Sequence, residues 1–349
     1  MTERREGSVS GEAAGPDGLE ESPSRRRLAS FRLFPHEVAG LAFVVAGVAL
    51  LESMPVTYPR GGVVLAAWFP LTWSVSIGLL AILGVRLAKR RGTDGARSVA
   101  GPAADLLLLL RAGLLLAPIL SVHFLLKSFI HLLNGRTWDQ ALWDIDRALL
   151  FGLSPSLFLT GLFTSPLFLR ALDFFYSSLY LIVVLVSVPL LLVLPTRPRR
   201  MAFLAAYSLI WIAGNAFYIA LPSWGPVFVV PQVFEETLRH MPGTVSVQRL
   251  LFREISSLVT DPLGPRQVHL GCVAAFPSLH LAVVTVLALA CRWSSRRWPF
   301  LYAAGVFVML IGSVVTGYHY LVDGWAGILL GAGACWLGRR LFPDPPRDP

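Results

Sequence analysis

Two histidines and an aspartate stand out in an otherwise strongly apolar chain. His280 closes the pentapeptide FPSLH, and His319 and Asp323 lie in GYHYLVDGWAG about forty residues later. Each histidine stands at the mouth of a hydrophobic segment. Ionisable side chains at membrane depth are costly unless they line a cavity or find a partner, which makes them functional candidates. Asp323 follows His319 by four residues, a spacing that on a helix places both side chains on one face and within hydrogen-bonding reach. A carboxylate so placed would fix the imidazole tautomer and raise its nucleophilicity. His280, arriving from another segment, would then supply a proton to a leaving group. The competing reading is that a lone histidine at a membrane edge is an interfacial or packing residue. Packing alone explains poorly why Pro-Ser-x-His and His-x-x-x-Asp-Gly occur together.

The elements that must position these residues follow from composition. The chain has 349 residues, of which 55% are hydrophobic and 15% charged, and its mean hydropathy is +0.63. That is too little polar surface to coat a soluble globule, so the expected class is an all-α integral membrane protein. The net charge of +9 would suit a nucleic-acid partner. Its basic residues, however, fall in short clusters between apolar runs, as orientation signals do, and no nucleic acid is expected. Cys272, Cys291 and Cys335 lie in apolar segments with neither metal-site spacing nor a disulfide framework, and no metal or cofactor is expected.

A spanning helix needs about 20 mostly apolar residues. Eight stretches qualify: 37–55, 62–86, 105–127, 171–194, 201–221, 271–291, 299–317 and 321–341. With eight spans, the clusters Arg25–Arg32, Arg86–Arg97, Arg197–Arg200, Arg292–Arg297 and Arg339–Arg340 all fall on one side, which predicts cytoplasmic termini and both histidines toward the outer leaflet. The expected organisation is a polar tail at 1–35, two additional spans with a basic loop at 36–104, a six-helix bundle at 105–341 and a tail at 342–349. Within TWDQALWDIDRALLFG, Trp138, Leu142, Ile145 and Leu149 recur at helical spacing. This predicts an interfacial helix near 137–152 whose carboxylates form a solvated face.

FPSLH resembles the Pro-Ser-Gly-His motif, and HYLVDGWAG the His-x-x-x-Asp element, of the type 2 phosphatidic acid phosphatase superfamily. The wording of both motifs, PSWGP at 222–226 and the Asp-rich stretch after the third span are similar to its inositol-phosphorylceramide-synthase-like branch. The resemblance covers about 105–341. It implies that His319 attacks phosphorus to form a phosphohistidine, Asp323 orients it, His280 protonates the departing oxygen and Ser278 bonds a phosphoryl oxygen, without a metal.

The sequence departs from that family where cations should stand. The Lys-x6-Arg-Pro positions read Gly214, Leu221 and Pro222, and the arginine expected six residues before the nucleophile is Ser313. Phosphoryl chemistry needs positive charge around the equatorial oxygens. The candidates to supply it are Lys127, Arg136, Arg170, Arg249, Arg253, Arg266 and His269, with Lys127, Arg136 and Arg266 foremost as substrate-binding residues. The expected activity is phosphoryl or phosphoalcohol transfer from a lipid phosphate, to water or to an alcohol. The missing cations favour a contrasting class, a non-catalytic lipid carrier or partner protein on the same scaffold. A vanadium-dependent oxidant would need the same cation cage and is remote.

Overall fold

The structure, a computed structural model, describes residues 33–56, 72, 76, 79–80, 102–187, 190–264, 273–294 and 299–344. Regular structure among the described residues is helical. The main helices are α1 (Pro35–Ser53), α2 (Pro102–Leu133), α3 (Asp139–Leu149), α4 (Pro155–Leu162), α5 (Pro166–Ser187), α6 (Arg197–Ala220), α7 (Pro242–Thr260), α8 (Leu279–Ser294), α9 (Pro299–Val315) and α10 (Leu321–Leu341). Many begin at proline, whose fixed φ suits the first turn and whose missing N–H is no loss there. Side-chain caps support others: Ser154 Oγ accepts from Leu157 N at 3.4 Å, and Thr196 Oγ1 accepts from Arg199 N at 3.4 Å.

Among the described residues, α1, 104–133 of α2, α6 and α10 are long and apolar enough to cross a membrane, and 279–293 and 303–315 form shorter apolar helices. The chain is an all-α integral membrane bundle. The expected span at 62–86 lies largely outside the described residues, as do the arginine clusters at 25–32 and 86–97. The stretch expected to span at 171–194 starts earlier, as α5, and ends in a separate helical turn at Leu190–Val193.

Helix α6 forms the centre, packed by α1, α2, α8 and α10. It is buried on nearly every side: Phe203, Tyr207, Ile210, Trp211 and Tyr218 all lie in the core, the pattern of a helix surrounded by others. Helices α8 and α10 approach closely because α10 is lined with glycine. A Cβ at Gly331 would stand 2.6 Å from the Ala282 carbonyl oxygen, and one at Gly327 would collide with that of Ser278. Small residues permit such backbone contact between spans. The contact brings together the heads of the two helices that follow the histidine motifs.

Candidate active site

The first histidine segment runs without regular structure before it turns helical. Ala275 N donates to Ser223 O at 3.0 Å and Phe276 N to Ser223 Oγ at 3.0 Å, so the start of FPSLH is held by PSWGP. Pro277 disfavours helix at the residue before it, and α8 starts only at Leu279. The expected span start at 271 is therefore corrected: Val273–Ser278 is not helical. Ser278, fully buried, donates its N–H to Asp323 O at 3.0 Å and accepts Leu281 N on Oγ at 3.4 Å.

The second segment is the reversal between α9 and α10. Gly317 has φ of 75°, a left-handed conformation that a side chain would strain, and a Cβ there would stand 2.7 Å from Val227 Cβ. His319 N donates to Ser313 O at 3.2 Å, and α10 begins at Leu321. His319 thus precedes the helix, and the expectation that His319 and Asp323 share a helical face is corrected. Gly225 packs under this turn, where a Cβ would come 2.5 Å from Tyr318 O. PSWGP therefore touches both histidine segments.

The two segments bring the imidazoles into contact: His280 Nδ1 lies 3.2 Å from His319 Nε2. His319 Nδ1 lies 2.9 Å from Ala275 O. A carbonyl only accepts, so Nδ1 carries the proton and Nε2 presents its lone pair toward His280, whose Nδ1–H donates to it. Asp323 is 3.5 Å from His319 Nδ1, and its Oδ2 accepts Tyr320 N at 2.9 Å. The expected hydrogen bond between His319 and Asp323 is therefore replaced by one that His319 Nδ1–H donates to the Ala275 carbonyl. Asp323 caps the first turn of α10 and lies beside the imidazole without bonding it. Burial, with a smaller contribution from the Lys127 charge, holds the His319 imidazole below its ordinary range and keeps it neutral.

Lys127 reaches this end of the bundle from α2. Its Nζ lies 5.5 Å from the Tyr218 ring centroid, and its charge acts on His280, His319 and His123. His123, one helical turn before it, is buried. Asn215 Nδ2 donates to Trp211 O at 2.7 Å and approaches His123 Nδ1 at 2.9 Å, which puts the His123 proton on Nε2. Asn215 Oδ1 is a buried acceptor with no hydrogen-bond partner among the described residues. Neither His123 nor Asn215 was singled out from sequence, although His123 and Lys127 at a separation of four in an apolar span were a readable signal.

Of the other cation candidates, Arg136, Arg170, Arg249 and Arg253 are exposed, and Arg266 and His269 lie outside the described residues. The positions where the family resemblance expects cations serve packing. A Cβ at Gly214 would stand 2.6 Å from the Leu279 side chain, and Ser313 Oγ donates to Leu310 O at 2.8 Å. Among the described residues no group of three or more His, Cys, Asp or Glu side chains could hold a metal ion.

Helix α3 corrects a further expectation. Asp144 is exposed, but the other two carboxylates are not on a solvated face: Asp139 and Asp146 are 4% and 2% exposed, while Trp138, Ile145 and Leu149 face outward at 39%, 45% and 54%. In a bilayer the apolar side can face lipid, so the polar side is free to turn toward the bundle. Burial raises the Asp146 carboxyl to about 6, against the lowering effect of the N–H groups of Leu321 and Val322.

No curated protein and no solved structure matches the chain. The family model described as PAP2 superfamily matches residues 140–337, more than half of the chain. The matched stretch begins in α3, ends in α10 and includes both histidine segments, and on this evidence the chain belongs to the PAP2 superfamily.

Proposed function

We propose that this protein transfers a phosphoryl or phosphoalcohol group from an amphipathic lipid phosphate, through a phosphohistidine on His319, at the outer leaflet with both termini cytoplasmic. Membership of the PAP2 superfamily suggests lipid phosphatase or phosphotransferase activity in general. The observation that carries the finer reading is the histidine pair itself, with the His319 proton held on Nδ1 by Ala275 O and Nε2 aimed at His280.

The reaction has two halves. In the first, the Nε2 lone pair of His319 forms the bond to phosphorus, the bond from phosphorus to the leaving oxygen breaks, and His280, converted to the imidazolium by a proton from the incoming phosphate monoester, gives that oxygen a proton and returns to the neutral ring. The phosphorylated imidazole gains positive charge, which Asp323 at 3.5 Å and the Ala275 carbonyl stabilise. In the second half, water or an alcohol attacks phosphorus, His280 takes the incoming proton and the Nε2–phosphorus bond breaks. Lys127 supplies positive charge to the phosphoryl oxygens, standing in from α2 for the cations absent at Gly214, Leu221 and Ser313, and Ser278 is the hydroxyl nearest the motif to bond one of them. In-line displacement places attacking and leaving atoms on opposite sides of phosphorus. The imidazoles at 3.2 Å must therefore part to admit the substrate.

An alcohol acceptor, as in the inositol-phosphorylceramide-synthase-like branch, is favoured by the motif wording and by the lack of the phosphatase cation pattern. The contrasting reading, a non-catalytic lipid-binding protein, draws on the packing of Leu279 against Gly214. Phosphate release and headgroup exchange from a panel of lipid phosphates, compared between the parent and His319→Ala, separates these readings. The proposal expects turnover in the parent alone. Equal behaviour of the two proteins refutes it.

A further inference from the structure

Helix α3 contributes no side chain to the reaction proposed above, yet its two buried carboxylates bind the residues that immediately follow the nucleophile. Asp146 Oδ2 accepts Leu321 N at 2.7 Å and its Oδ1 accepts Val322 N at 2.8 Å. Asp139 Oδ1 accepts the Tyr320 hydroxyl at 2.9 Å and Gly225 N at 2.9 Å, and the same carboxylate accepts Trp224 N at 3.0 Å. A separation of seven puts the two carboxylates on one face of α3, two turns apart. Both are fixed to the turn from Tyr320 to Val322, and Asp139 also ties that turn to PSWGP.

The turn needs such partners. The first N–H groups of α10 have no acceptors within their own helix, and a carboxylate there gains from charge-assisted hydrogen bonds and from the positive end of the helix dipole. His319 itself bonds Ser313 O through its N–H, and its ring meets Ala275 O at Nδ1 and His280 at Nε2. Its backbone runs directly into the clamped turn, so where residues 320–322 sit bears on how the ring meets these partners.

We propose that Asp146 and Asp139 are positioning residues: α3 clamps the start of α10 and so sets the placement of the His319 imidazole against His280. The inference rests on the reading of His319 as nucleophile. Misplacement of a reacting group by about 1 Å can cost on the order of a hundredfold in rate, and such a loss falls on kcat and leaves KM little changed. Asn at 146 keeps one oxygen acceptor where Asp offers two, so it should rescue part of what Ala loses.

The test uses full-length protein in phospholipid nanodiscs with the best-turned-over member of a lipid phosphate panel. Asp146→Ala should lower kcat roughly a hundredfold with KM within about threefold, and Asp146→Asn should recover about tenfold of that loss. Asp144→Asn, an exposed change on the same helix, should leave kcat at the parent value. Nitrogen chemical shifts of 15N-labelled histidine give a readout that needs no substrate: the His319 signals should move in Asp146→Ala and stay in Asp144→Asn. Should Asp146→Ala not fold, Asp146→Asn and Tyr320→Phe decide, and parent-like kcat and unchanged His319 signals in both overturn the inference. If Asp146→Ala folds and keeps both the parent kcat and the His319 signals while His319→Ala is inactive, the clamp is refuted and the nucleophile stands. If His319→Ala keeps the parent's activity, the reaction proposed above fails, and the clamp fails with it.

Discussion

The two ends of the bundle treat their buried carboxylates differently. At the end away from the histidines, each meets an arginine. Asp105 binds Arg200 at 2.6 Å, with both side chains buried, and Glu37 grips Arg111 through both oxygens. Close by, the less buried Asp344 meets Arg199 at 3.0 Å. At the histidine end, Asp139, Asp146 and Asp173 accept backbone N–H and hydroxyl groups. Asp173, for example, takes Gly243 N, Thr244 N and the Thr244 hydroxyl at 2.7–2.8 Å. One end is stapled by charge pairs whose energy is internal. The other is organised by carboxylates that hold chain segments in place, so that no arginine is needed to neutralise them and positive charge can act on a bound phosphate. In the reaction proposed above, this difference leaves positive charge for the substrate although the three expected cation positions hold Gly214, Leu221 and Ser313.

The comparison is sharpened most by removing the site's own groups. His280→Ala should lower kcat by about 10²–10⁴, the usual contribution of a general acid, and a leaving group of low pKa should restore part of the rate because it departs without a proton. Next in size, Lys127→Ala should raise the barrier by about 2.7–4 kcal/mol, a loss of roughly a hundredfold or more, with Lys127→Arg retaining part of the activity. Parent-like turnover in Lys127→Ala would mean that the phosphate charge is met elsewhere.

The opposite end should respond in the other currency. Arg200→Ala leaves Asp105 buried without its partner, which typically costs about 3–5 kcal/mol. Thermal unfolding in detergent should show a much lower midpoint, while kcat per folded molecule stays at the parent value. A selective loss of kcat would break the division between the ends.

The smallest effect concerns pH. In the folded protein the Asp146 carboxyl is raised to about 6, against an ordinary value near 3.9 for aspartate in an unfolded chain. Between about 4 and 6 the folded state therefore binds more protons than the unfolded state, so this residue's contribution makes stability fall as pH rises through that window and level off above it. Relative to the parent, Asp146→Asn should flatten the dependence by a few degrees of melting midpoint. An unchanged slope would mean that the two N–H groups cancel the effect of burial.

What was legible in the sequence was chemistry carried by side chains. FPSLH and HYLVDG mark two segments that converge, and the apolar runs mark the bundle. Features made by the backbone were not legible: nothing in the residue type of Ala275 signals that its carbonyl holds the His319 proton, and the spacing of His319 and Asp323 suggested a helical face where the chain makes a turn. In helix α3 the pattern of Trp138, Ile145 and Leu149 identifies an apolar face without saying whether protein or lipid covers it, so the burial of Asp139 and Asp146 has no signal in the spacing. His123 was passed over because one histidine among leucines carries little weight until Asn215, from another helix, is seen beside it.

The central claim is that His319 becomes phosphorylated. Full-length protein incubated with a phosphorus-labelled lipid phosphate, quenched in base and mapped by mass spectrometry, tests it directly. An acid-labile, base-stable phosphoryl group is expected on His319, absent in His319→Ala and accumulating when the acceptor step is slowed. Turnover of the lipid by the parent with no label on His319 under those conditions would contradict it.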